Sequence, residues 1–354
     1  MHFNLSFYRD RKVFLTGHTG FKGSWLSVIL TNAGAEVTGF STCSQRETRL
    51  FDLCGVKDSL HHIKGDVRDA DHLTKALQEA APDIVIHMAA QPIVREGYRD
   101  PVKTFSTNVM GTVNLLEAIR QTPSVRSVLN VTTDKVYLNR EWSRGYREDD
   151  PLDGYDPYSN SKSCSELVTH SYACSFLKDQ HIAVSTARAG NVIGGGDFAP
   201  DRIIPDCVRA AITNKPIIVR NPKQIRPFQH VLEPLFAYLM IAAKQYEDPT
   251  LAGWYNIGPD DRDCVCAGDL VNLFIRCWGE GLERIDRPDN GPHEANFLKL
   301  DCQRLKETFD WSPTWDISKA VEKTVEWTKE WQAGKNVKAC MERQIREYLA
   351  NQGN

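Results

Sequence analysis

The sequence predicts an α/β fold in which a doubly wound parallel sheet is joined to a smaller α/β lobe. One reason is that an apolar strand runs into glycines at the spacing Gly-x-x-Gly-x-x-Gly and then into an apolar helix, all within residues 12–30. The other reason is that strand and helix patterns alternate through the first half of the chain, and the strands are apolar almost throughout. Strands of that kind are typical of a parallel sheet covered by helices on both faces.

The glycine-rich turn is the first element with a predicted function. Residues 12–16 form the apolar strand, Gly17, Gly20 and Gly23 follow, and residues 35–40 form a second strand. The glycines allow a tight turn and a close approach to a pyrophosphate, whose charge would lie at the helix N-terminus. An ordinary glycine-rich turn is the alternative, but strand, glycines, helix and strand in this order favour a Rossmann-type nucleotide site.

The other elements of the sheet are predicted from further apolar runs. Strands are expected at residues 84–90, 127–132 and 183–187, and helices at residues 109–119 and 161–177. In an open α/β sheet, ligands bind beyond the carboxyl ends of the strands. We therefore expect the functional side chains to gather at that edge.

The character of the chain changes near residue 190, where glycine, proline and charged residues become frequent. We predict a nucleotide-binding domain of residues 1–190, to which residues 228–255 return. Residues 191–227 and 256–354 are assigned to a smaller domain that binds the substrate.

The 354-residue chain has the composition of an ordinary globular protein, with 41% hydrophobic and 25% charged residues. Its net charge of −3 provides no general attraction to nucleic acid or to an anionic membrane. No apolar run is long enough to span a membrane and no signal peptide is recognisable, so we expect a cytoplasmic protein. The ten cysteines are scattered without the spacing of a zinc site, which favours free thiols and no metal.

Tyr158 and Lys162 are four residues apart and would share one face of a helix. A nearby ammonium can hold a phenol partly ionised, which makes the phenol a base able to take a proton from a sugar hydroxyl. Alone, the pair is weak evidence, because many helices carry it by chance. The nucleotide-binding turn in the same chain gives it more weight.

These motifs together resemble those of the extended short-chain dehydrogenase/reductases and, within that group, the nucleotide-sugar 4,6-dehydratases. The glycine turn marks only the superfamily, whereas Thr-Asp-Lys at residues 133–135 and the segments after residue 188 are more selective. The likeness covers nearly the whole chain. The segments that carry it are residues 16–26, 87–92, 107–112, 154–162, 188–197, 225–234, 292–294 and 300–301.

The resemblance implies an enzyme that uses NAD to convert CDP-glucose to CDP-4-dehydro-6-deoxyglucose and water, in deoxysugar synthesis for the lipopolysaccharide O-antigen. Oxidation at C4 would make a ketone that acidifies the C5 proton, water would leave across C5 and C6, and the stored hydride would return to C6. A homodimer or homotetramer is implied as well.

The implied roles fall on residues that match the motifs of this family. Thr133 would hydrogen-bond the sugar 4-hydroxyl, Tyr158 would deprotonate it, and Lys162 would tune Tyr158 and hold the nicotinamide ribose. The implied cofactor-binding set is Gly17, Thr19, Gly20, Phe21, Lys22, Gly23, Asp66, Val67, Ala89, Ala90, Asn108, Tyr158 and Lys162. The implied substrate-binding set, whose arginines and histidine would otherwise be taken for surface residues, is Asn191, Arg202, Arg226 and His293.

A dehydratase needs two proton-transfer groups beyond the Tyr and Lys that suffice for oxidation. Asp134 and Lys135 directly follow a predicted strand, where both side chains can reach one crevice, although an exposed ion pair is the alternative. The resemblance assigns Asp134 as the acid for the departing 6-hydroxyl, which requires that burial raise its pKa, and Lys135 as the base at C5. Related dTDP-glucose dehydratases carry glutamate in place of Lys135; a lysine acts as a base only when neutral, and an ammonium could instead stabilise the enolate.

The sequence departs from the usual NAD pattern at the end of the second strand. An acidic residue usually binds the ribose 2′-hydroxyl there, but residues 41–44 are Ser, Thr, Cys and Ser, and Arg46 follows. Either hydroxyls replace that contact or Arg46 accepts the 2′-phosphate of NADP. We favour NAD, and expect the charges of His18 and Lys22 to offset part of the missing contact.

Two other functions stay open at this stage. A sugar-nucleotide 4-epimerase of the same fold would also oxidise C4, but it needs no acid for a leaving hydroxyl, so Asp134 and Lys135 argue against it. A nucleotide-sugar sensor with a retired catalytic site should lack Tyr158, Lys162 or Asp134, and all three are present. The choice of CDP rests on the resemblance alone.

Overall fold

The computed structural model describes residues 3–42, 45–279, 281–287 and 297–352. Its strands fall into one large sheet and three short two-stranded pairs. They are β1 (Lys12–Thr16), β2 (Glu36–Ser41), β3 (His61–Lys64), β4 (Ile84–His87), β5 (Ser127–Val131), β6 (Ala183–Ala189), β7 (Val192–Ile193), β8 (Ile217–Val219), β9 (Ile225–Arg226), β10 (Gln229–His230), β11 (Trp254–Ile257), β12 (Val265–Cys266) and β13 (Arg284–Asp286).

The helices alternate with these strands in the first half of the chain and dominate the last part. They are α1 (Phe21–Asn32), α2 (Gln45–Leu53), α3 (Ala70–Ala80), α4 (Val94–Arg99), α5 (Pro101–Phe105), α6 (Gly111–Arg120), α7 (Pro157–Tyr172), α8 (Ile203–Ile212), α9 (Leu232–Glu247), α10 (Ala267–Trp278), α11 (Gln303–Phe309), α12 (Ile317–Gln332) and α13 (Val337–Asn351).

The large sheet is parallel, and its strands lie in the order β3, β2, β1, β4, β5, β6, β11. The predicted Rossmann-type fold is thereby confirmed. Strands β4, β5 and β6 are buried along their whole length because helices cover both faces of the sheet. The strand order reverses between β1 and β4, and a crevice at such a point is the usual ligand site of this fold.

Helix α7 begins earlier than the apolar pattern predicted. Its first residue is Pro157 rather than Ser161, and Asp156 caps it by accepting hydrogen bonds from the backbone N–H groups of Tyr158 and Ser159. Proline suits this position, since the first helical residue needs no backbone donor. Polar residues in the first turn conceal this start from a search for apolar periodicity.

The second half of the chain builds the smaller lobe and also returns to the large sheet. Strand β11 pairs with β6, and Gln245 of α9 donates to the carbonyl oxygen of Val128 in β5 at 3.0 Å. Helices α8, α10 and α12 pack around a separate apolar cluster that includes Phe274 and Val321. Helix α13 packs in the core of the large lobe through Met341.

Glu233 on α9 anchors the segment that leads into α12 and α13. Its carboxylate is fully buried and accepts hydrogen bonds from the backbone N–H of Trp315 at 2.7 Å, the backbone N–H of Thr314 at 3.1 Å and the hydroxyl of Tyr348 at 2.8 Å. Burial raises the pKa of Glu233 to about 7, against the opposing effect of these donors.

Within the described ranges, no helix combines the length and the apolar character needed to cross a membrane. The cysteines in these ranges are free thiols, and the same ranges contain no cluster of three or more His, Cys, Asp or Glu side chains arranged to hold a metal ion.

Candidate active site

Two adjoining cavities open at the carboxyl edge of the large sheet. The larger has a volume of about 770 Å³ and lies over the glycine turn, and the smaller has a volume of about 330 Å³ and lies between the two lobes. The residues that line both are Phe21, Lys22, Pro92, Ile93, Asp197 and Arg202. A ligand in one cavity would therefore meet a ligand in the other.

The glycine turn is shaped for a close approach to an extended anion. Gly17 has a φ of +73°, and a β-carbon at this position would lie 2.8 Å from the backbone nitrogen of Ala89. A β-carbon at Gly23 would lie 2.2 Å from the carbonyl oxygen of Gly17. Gly20 is the N-cap of α1 and provides no side-chain hydrogen bond to the first N–H groups of the helix, whose first turn lines the larger cavity. These features fit a dinucleotide pyrophosphate.

Most of the predicted cofactor residues line the larger cavity, namely Gly17, Gly20, Phe21, Lys22, Gly23, Asp66, Val67, Ala89 and Ala90. Asp66 is paired with Arg68, whose hydrogen bonds lower the pKa of Asp66 and keep it an ionised acceptor.

Thr19 and Asn108 lie behind the wall of the larger cavity. The hydroxyl of Thr19 is 2.7 Å from the hydroxyl of Ser41, at the end of β2. Asn108 accepts from the backbone N–H of Gln91 at 2.8 Å and donates to the hydroxyl of Ser161 at 2.9 Å. Both residues therefore shape the cavity from outside it.

His18 does not supply the charge expected of it. It packs beneath the turn, where a β-carbon at Gly39 would lie 2.4 Å from its ring, and its Nε2 is 2.7 Å from Nδ1 of His62. Burial, followed by the proximity of His62, lowers the pKa of His18 to about 3. The imidazole is uncharged at neutral pH, so the expectation of electrostatic help from His18 is wrong.

Lys22 lies where the two cavities meet. Its ammonium is 5.7 Å from the ring centre of Tyr238. Burial lowers the pKa of Lys22 to about 7, and the charges of Lys162 and Arg202 lower it further while Asp134 opposes them. Lys22 is thus only partly charged near neutral pH, and its electrostatic contribution is smaller than the sequence suggested.

Four of the predicted catalytic residues, Thr133, Asp134, Lys135 and Tyr158, line the smaller cavity. A short turn at Asp134–Val136 follows β5 and presents the first three. Thr133 donates from its hydroxyl to Oδ1 of Asp134 at 2.9 Å, and its side chain also hydrogen-bonds Tyr158. Lys135 is half-buried beside them.

Asp134 is a buried carboxyl group on the wall of the smaller cavity. Its side chain is 2% exposed, and its Oδ2 is buried with no hydrogen-bond partner among the described residues. Burial raises the pKa of Asp134, although the charge of Lys135 and the hydrogen bond from Thr133 act in the opposite direction. An acid at this position was expected to need a pKa that burial raises, and burial does raise the pKa of Asp134.

Tyr158 and Lys162 share α7, and Lys162 lies beneath the cavity floor. Burial raises the pKa of Tyr158 to about 12, while the hydrogen bond with Thr133 lowers it. Lys162 donates to the carbonyl oxygen of Val131 at 3.0 Å, and burial lowers the pKa of Lys162 to about 8. Negative charge on Asp134 would raise the pKa of Tyr158 further, so a protonated Asp134 favours Tyr158 as a base.

The predicted substrate residues Asn191, Arg202 and Arg226 line the smaller cavity. Arg202 is held by Asp197 at 2.9 Å, and Arg226 donates to the carbonyl oxygen of Ile225 at 2.9 Å. Two guanidinium groups near one cavity suit a diphosphate. His293 lies outside the described residues.

Two acidic residues that hold side chains of this site were not predicted from the sequence. Asp197 lines both cavities and orients Arg202. Glu166 is buried one helical turn beyond Lys162. Glu166 could have been predicted from its position, because a carboxylate four residues after Lys162 lies on the same face of the helix.

Comparison with known proteins adds independent information. The sequence model of the family described as GDP-mannose 4,6 dehydratase matches residues 14–324. The chain is 44% identical to a CDP-glucose 4,6-dehydratase of Salmonella typhimurium over 351 residues, which cover 98% of each protein. It is 27% identical to a dTDP-glucose 4,6-dehydratase of Xanthomonas campestris, over 87% of this chain and 90% of that one.

Solved structures share the fold at lower sequence identity. A UDP-glucuronic acid 4-epimerase from Bacillus cereus, solved with UDP-glucuronic acid and NAD, has a TM-score of 0.78 at 23% identity and covers 90% of this chain and 99% of its own. A dTDP-glucose 4,6-dehydratase from Bacillus anthracis, solved with NAD, has a TM-score of 0.74 at 22% identity and covers 91% of this chain and 98% of its own.

Proposed function

Because the chain belongs to the GDP-mannose 4,6-dehydratase family, we propose that it is an NAD-dependent CDP-glucose 4,6-dehydratase that forms CDP-4-dehydro-6-deoxyglucose and water. One structural observation carries the proposal: a buried carboxyl group of raised pKa, Asp134, lines the same cavity as Tyr158. Oxidation alone requires the tyrosine, whereas loss of water requires an acid as well.

For the oxidation, Tyr158 accepts the proton of the sugar 4-hydroxyl, and the Thr133 hydroxyl fixes the position of that oxygen. Lys162 supplies positive charge beneath Tyr158 and favours its ionised form. Residues of the glycine turn would hold NAD, which would supply the hydride acceptor for C4 and the hydride donor for C6. The glycine turn and the larger cavity support its binding.

For the loss of water, Asp134 gives its proton to the 6-hydroxyl as the C6–O bond breaks. Lys135 removes the C5 proton, and the electrons of that C–H bond form the C5–C6 double bond. When the hydride reaches C6, Lys135 returns a proton to C5. The proton that Tyr158 took from the 4-hydroxyl then replaces the one that Asp134 gave to the leaving water, so all three groups are reset. The position of both residues on one short turn after β5 supports this division of roles.

The smaller lobe, which α8, α10 and α12 build, is proposed to hold the nucleotide sugar. The bounds expected from the sequence, residues 191–227 and 256–354 against residues 1–190 and 228–255, also take in α13, which packs in the core of the large lobe. Arg202 and Arg226 support a diphosphate at the smaller cavity. Cytosine as the base is supported by the Salmonella relative. Ser41 lines the larger cavity at the end of β2 and supports NAD rather than NADP, since a neutral hydroxyl suits a ribose hydroxyl better than a phosphate.

We also propose that the enzyme works in the cytoplasm as a homodimer or homotetramer. Large apolar side chains are exposed along α5 to α7, which would suit pairing of these helices between subunits. They are Val102, Met110, Leu167 and Phe176.

The test is incubation with CDP-, dTDP-, GDP- and UDP-glucose, each with NAD or with NADP, followed by mass measurement of the products. Loss of one water from CDP-glucose with NAD is expected. Conversion without a change in mass would indicate a 4-epimerase, and binding without conversion would indicate a sensor.

A further inference from the structure

Glu166 is a buried carboxylate that lines neither cavity. Its Oε1 accepts a hydrogen bond from the hydroxyl of Thr132, and its Oε2 accepts from the hydroxyl of Thr186 at 2.7 Å and from Nη2 of Arg188 at 3.0 Å. Thr132 follows β5, and the other two donors belong to β6. A single side chain therefore joins α7 to two strand ends of the sheet.

Lys162 is fixed to the same strand end as Glu166. The lysine donates to the carbonyl oxygen of Val131, and the glutamate accepts from Thr132, so the two side chains hold consecutive residues. Thr133, the hydroxyl of the proposed site, comes next in the chain. A shift of α7 would therefore change the geometry between the residues after β5 and the helix that carries the proposed base.

The charges around Lys162 are mostly basic. Lys22 faces it from the glycine turn and His87 from the end of β4. Burial lowers the pKa of His87 to about 3, which leaves that ring neutral. Burial also lowers the pKa of Lys162, and the carboxylate of Glu166 raises it. Among the described residues, Glu166 is the acid whose charge raises the pKa of Lys162 and so favours its protonated form.

Arg188 is the cation on the other side of Glu166. Its Nη1 donates to the hydroxyl of Tyr137 and to the carbonyl oxygen of Glu148, both at 2.9 Å. The side chains of Arg188 and Glu166 are 3% and 2% exposed, so their ion pair is held away from solvent. The arginine keeps the carboxylate in place without reaching either cavity.

We propose that Glu166 is a positioning residue for the dehydratase reaction, which keeps Lys162 in its ammonium form and fixes α7, with Tyr158, against the strand end that carries Thr133. This inference rests on the proposed function, because Lys162 and Tyr158 have their roles through it. Glu166 acts through Lys162 and α7 and does not contact the substrate.

The test is the pH dependence of kcat/KM for CDP-glucose in the enzyme loaded with NAD. Glu166→Gln keeps the shape of the side chain and removes its charge. Lys162 should then lose its proton at lower pH, so the loss of kcat/KM should be larger at alkaline pH than at acidic pH. The limb that Lys162 sets should move to lower pH by roughly one unit. Glu166→Asp keeps the charge and should restore most of this limb.

A second readout requires no turnover. The titration of Lys162, followed by NMR of its ε-carbon and assigned by comparison with the Lys162→Gln form of each protein, should move to lower pH in Glu166→Gln than in the unsubstituted protein. A loss of kcat/KM that is equal at every pH, together with an unchanged Lys162 titration, would assign Glu166 a structural role only and overturn the inference. If Glu166→Gln does not fold, the double substitution Glu166→Gln with Arg188→Gln removes both buried charges and is judged by the same outcomes.

Glu148→Gln is the matched control. Glu148 is also buried, accepts from the backbone N–H of Asn256 at 2.9 Å and lines neither cavity, but it does not belong to α7. The control should lower thermal stability and leave both limbs in place. If the unsubstituted enzyme does not convert CDP-glucose, the proposed function fails, while the Lys162 titration still decides the effect of Glu166.

Discussion

Asp134→Asn should stop the reaction between oxidation at C4 and loss of water. The substitution is close to isosteric: the amide oxygen can still accept from the hydroxyl of Thr133, which lies 2.9 Å from Oδ1 in the native protein. The amide nitrogen would occupy the place of Oδ2, which has no partner among the described residues. The site keeps its shape and loses only a transferable proton.

The size of the effect follows from that loss. A positioned general acid contributes about 10²- to 10⁴-fold to a rate, which corresponds to about 3 to 5 kcal/mol of barrier. The oxidation step should be spared, because negative charge on Asp134 raises the pKa of Tyr158 and an uncharged amide removes that effect. Reduced nicotinamide should therefore accumulate on the enzyme.

The assay is a single-turnover mixing experiment with CDP-glucose in which the near-ultraviolet absorbance of reduced nicotinamide is followed. Asp134→Asn should show a rise in absorbance that decays about 10²- to 10⁴-fold more slowly than in the unsubstituted enzyme. Loss of product formation without any rise would show that Asp134 acts in or before oxidation, and the proposed division of roles would be wrong.

Four further changes have defined outcomes. Tyr158→Phe should reduce turnover by about 10²- to 10⁴-fold while calorimetry shows retained CDP-glucose binding, since only the proton acceptor is lost; near-normal turnover would remove Tyr158 from the mechanism. Lys135→Met should slow exchange of the C5 proton with solvent deuterium and leave C4 oxidation largely intact; unchanged exchange would point to another base. Leu167, 56% exposed on α7, should support subunit pairing, so Leu167→Glu should sediment as a smaller species, and a native protein already monomeric at micromolar concentration would refute the pairing. Glu233 has a pKa raised from 4.5 to about 7, so its stabilising contribution is complete below 4.5 and is lost as pH rises through about 7. Urea unfolding should show the native protein losing up to about 3 kcal/mol between about pH 5 and 8 relative to Glu233→Gln, and parallel pH curves would contradict this.

The parts of the site that depend on local sequence could be predicted. The glycine turn needs small residues at fixed spacing, and Gly17 and Gly23 stand where a β-carbon would collide with the backbone. Thr133 and Asp134 follow β5 closely, and residues that follow a parallel strand lie at the carboxyl edge of the sheet. Both therefore line the smaller cavity, which opens at that edge. Five of the seven strands of the large sheet could likewise be predicted from apolar runs, whereas β3 and β11 were not.

Features that depend on contacts between residues distant in sequence could not be predicted from local patterns. Thr19 and Asn108 belong to cofactor motifs, yet their side chains bond to Ser41 and Gln91 behind the cavity wall. The start of α7 depends on the cap provided by Asp156 rather than on apolar spacing. The positions of Thr19 and Asn108 and the start of α7 each depend on a hydrogen bond, and the sequence pattern does not identify the partner in that bond.

Charge state is the property furthest from the sequence, because the same residue type is a cation or a neutral group according to what buries it. His18 was expected to help bind a phosphate, but burial lowers its pKa to about 3 and leaves it neutral. Lys162 is buried as well, yet burial takes its pKa only to about 8, since the carboxylate of Glu166 acts against the desolvation. The ordinary pKa values of the two side chains, 6.5 for His18 and 10.5 for Lys162, account for most of the difference between them, and the buried carboxylate of Glu166 adds to it. Arg188 and two threonine hydroxyls satisfy the oxygens of Glu166. The behaviour of the proposed Tyr158–Lys162 pair is therefore set by strands on which neither residue lies.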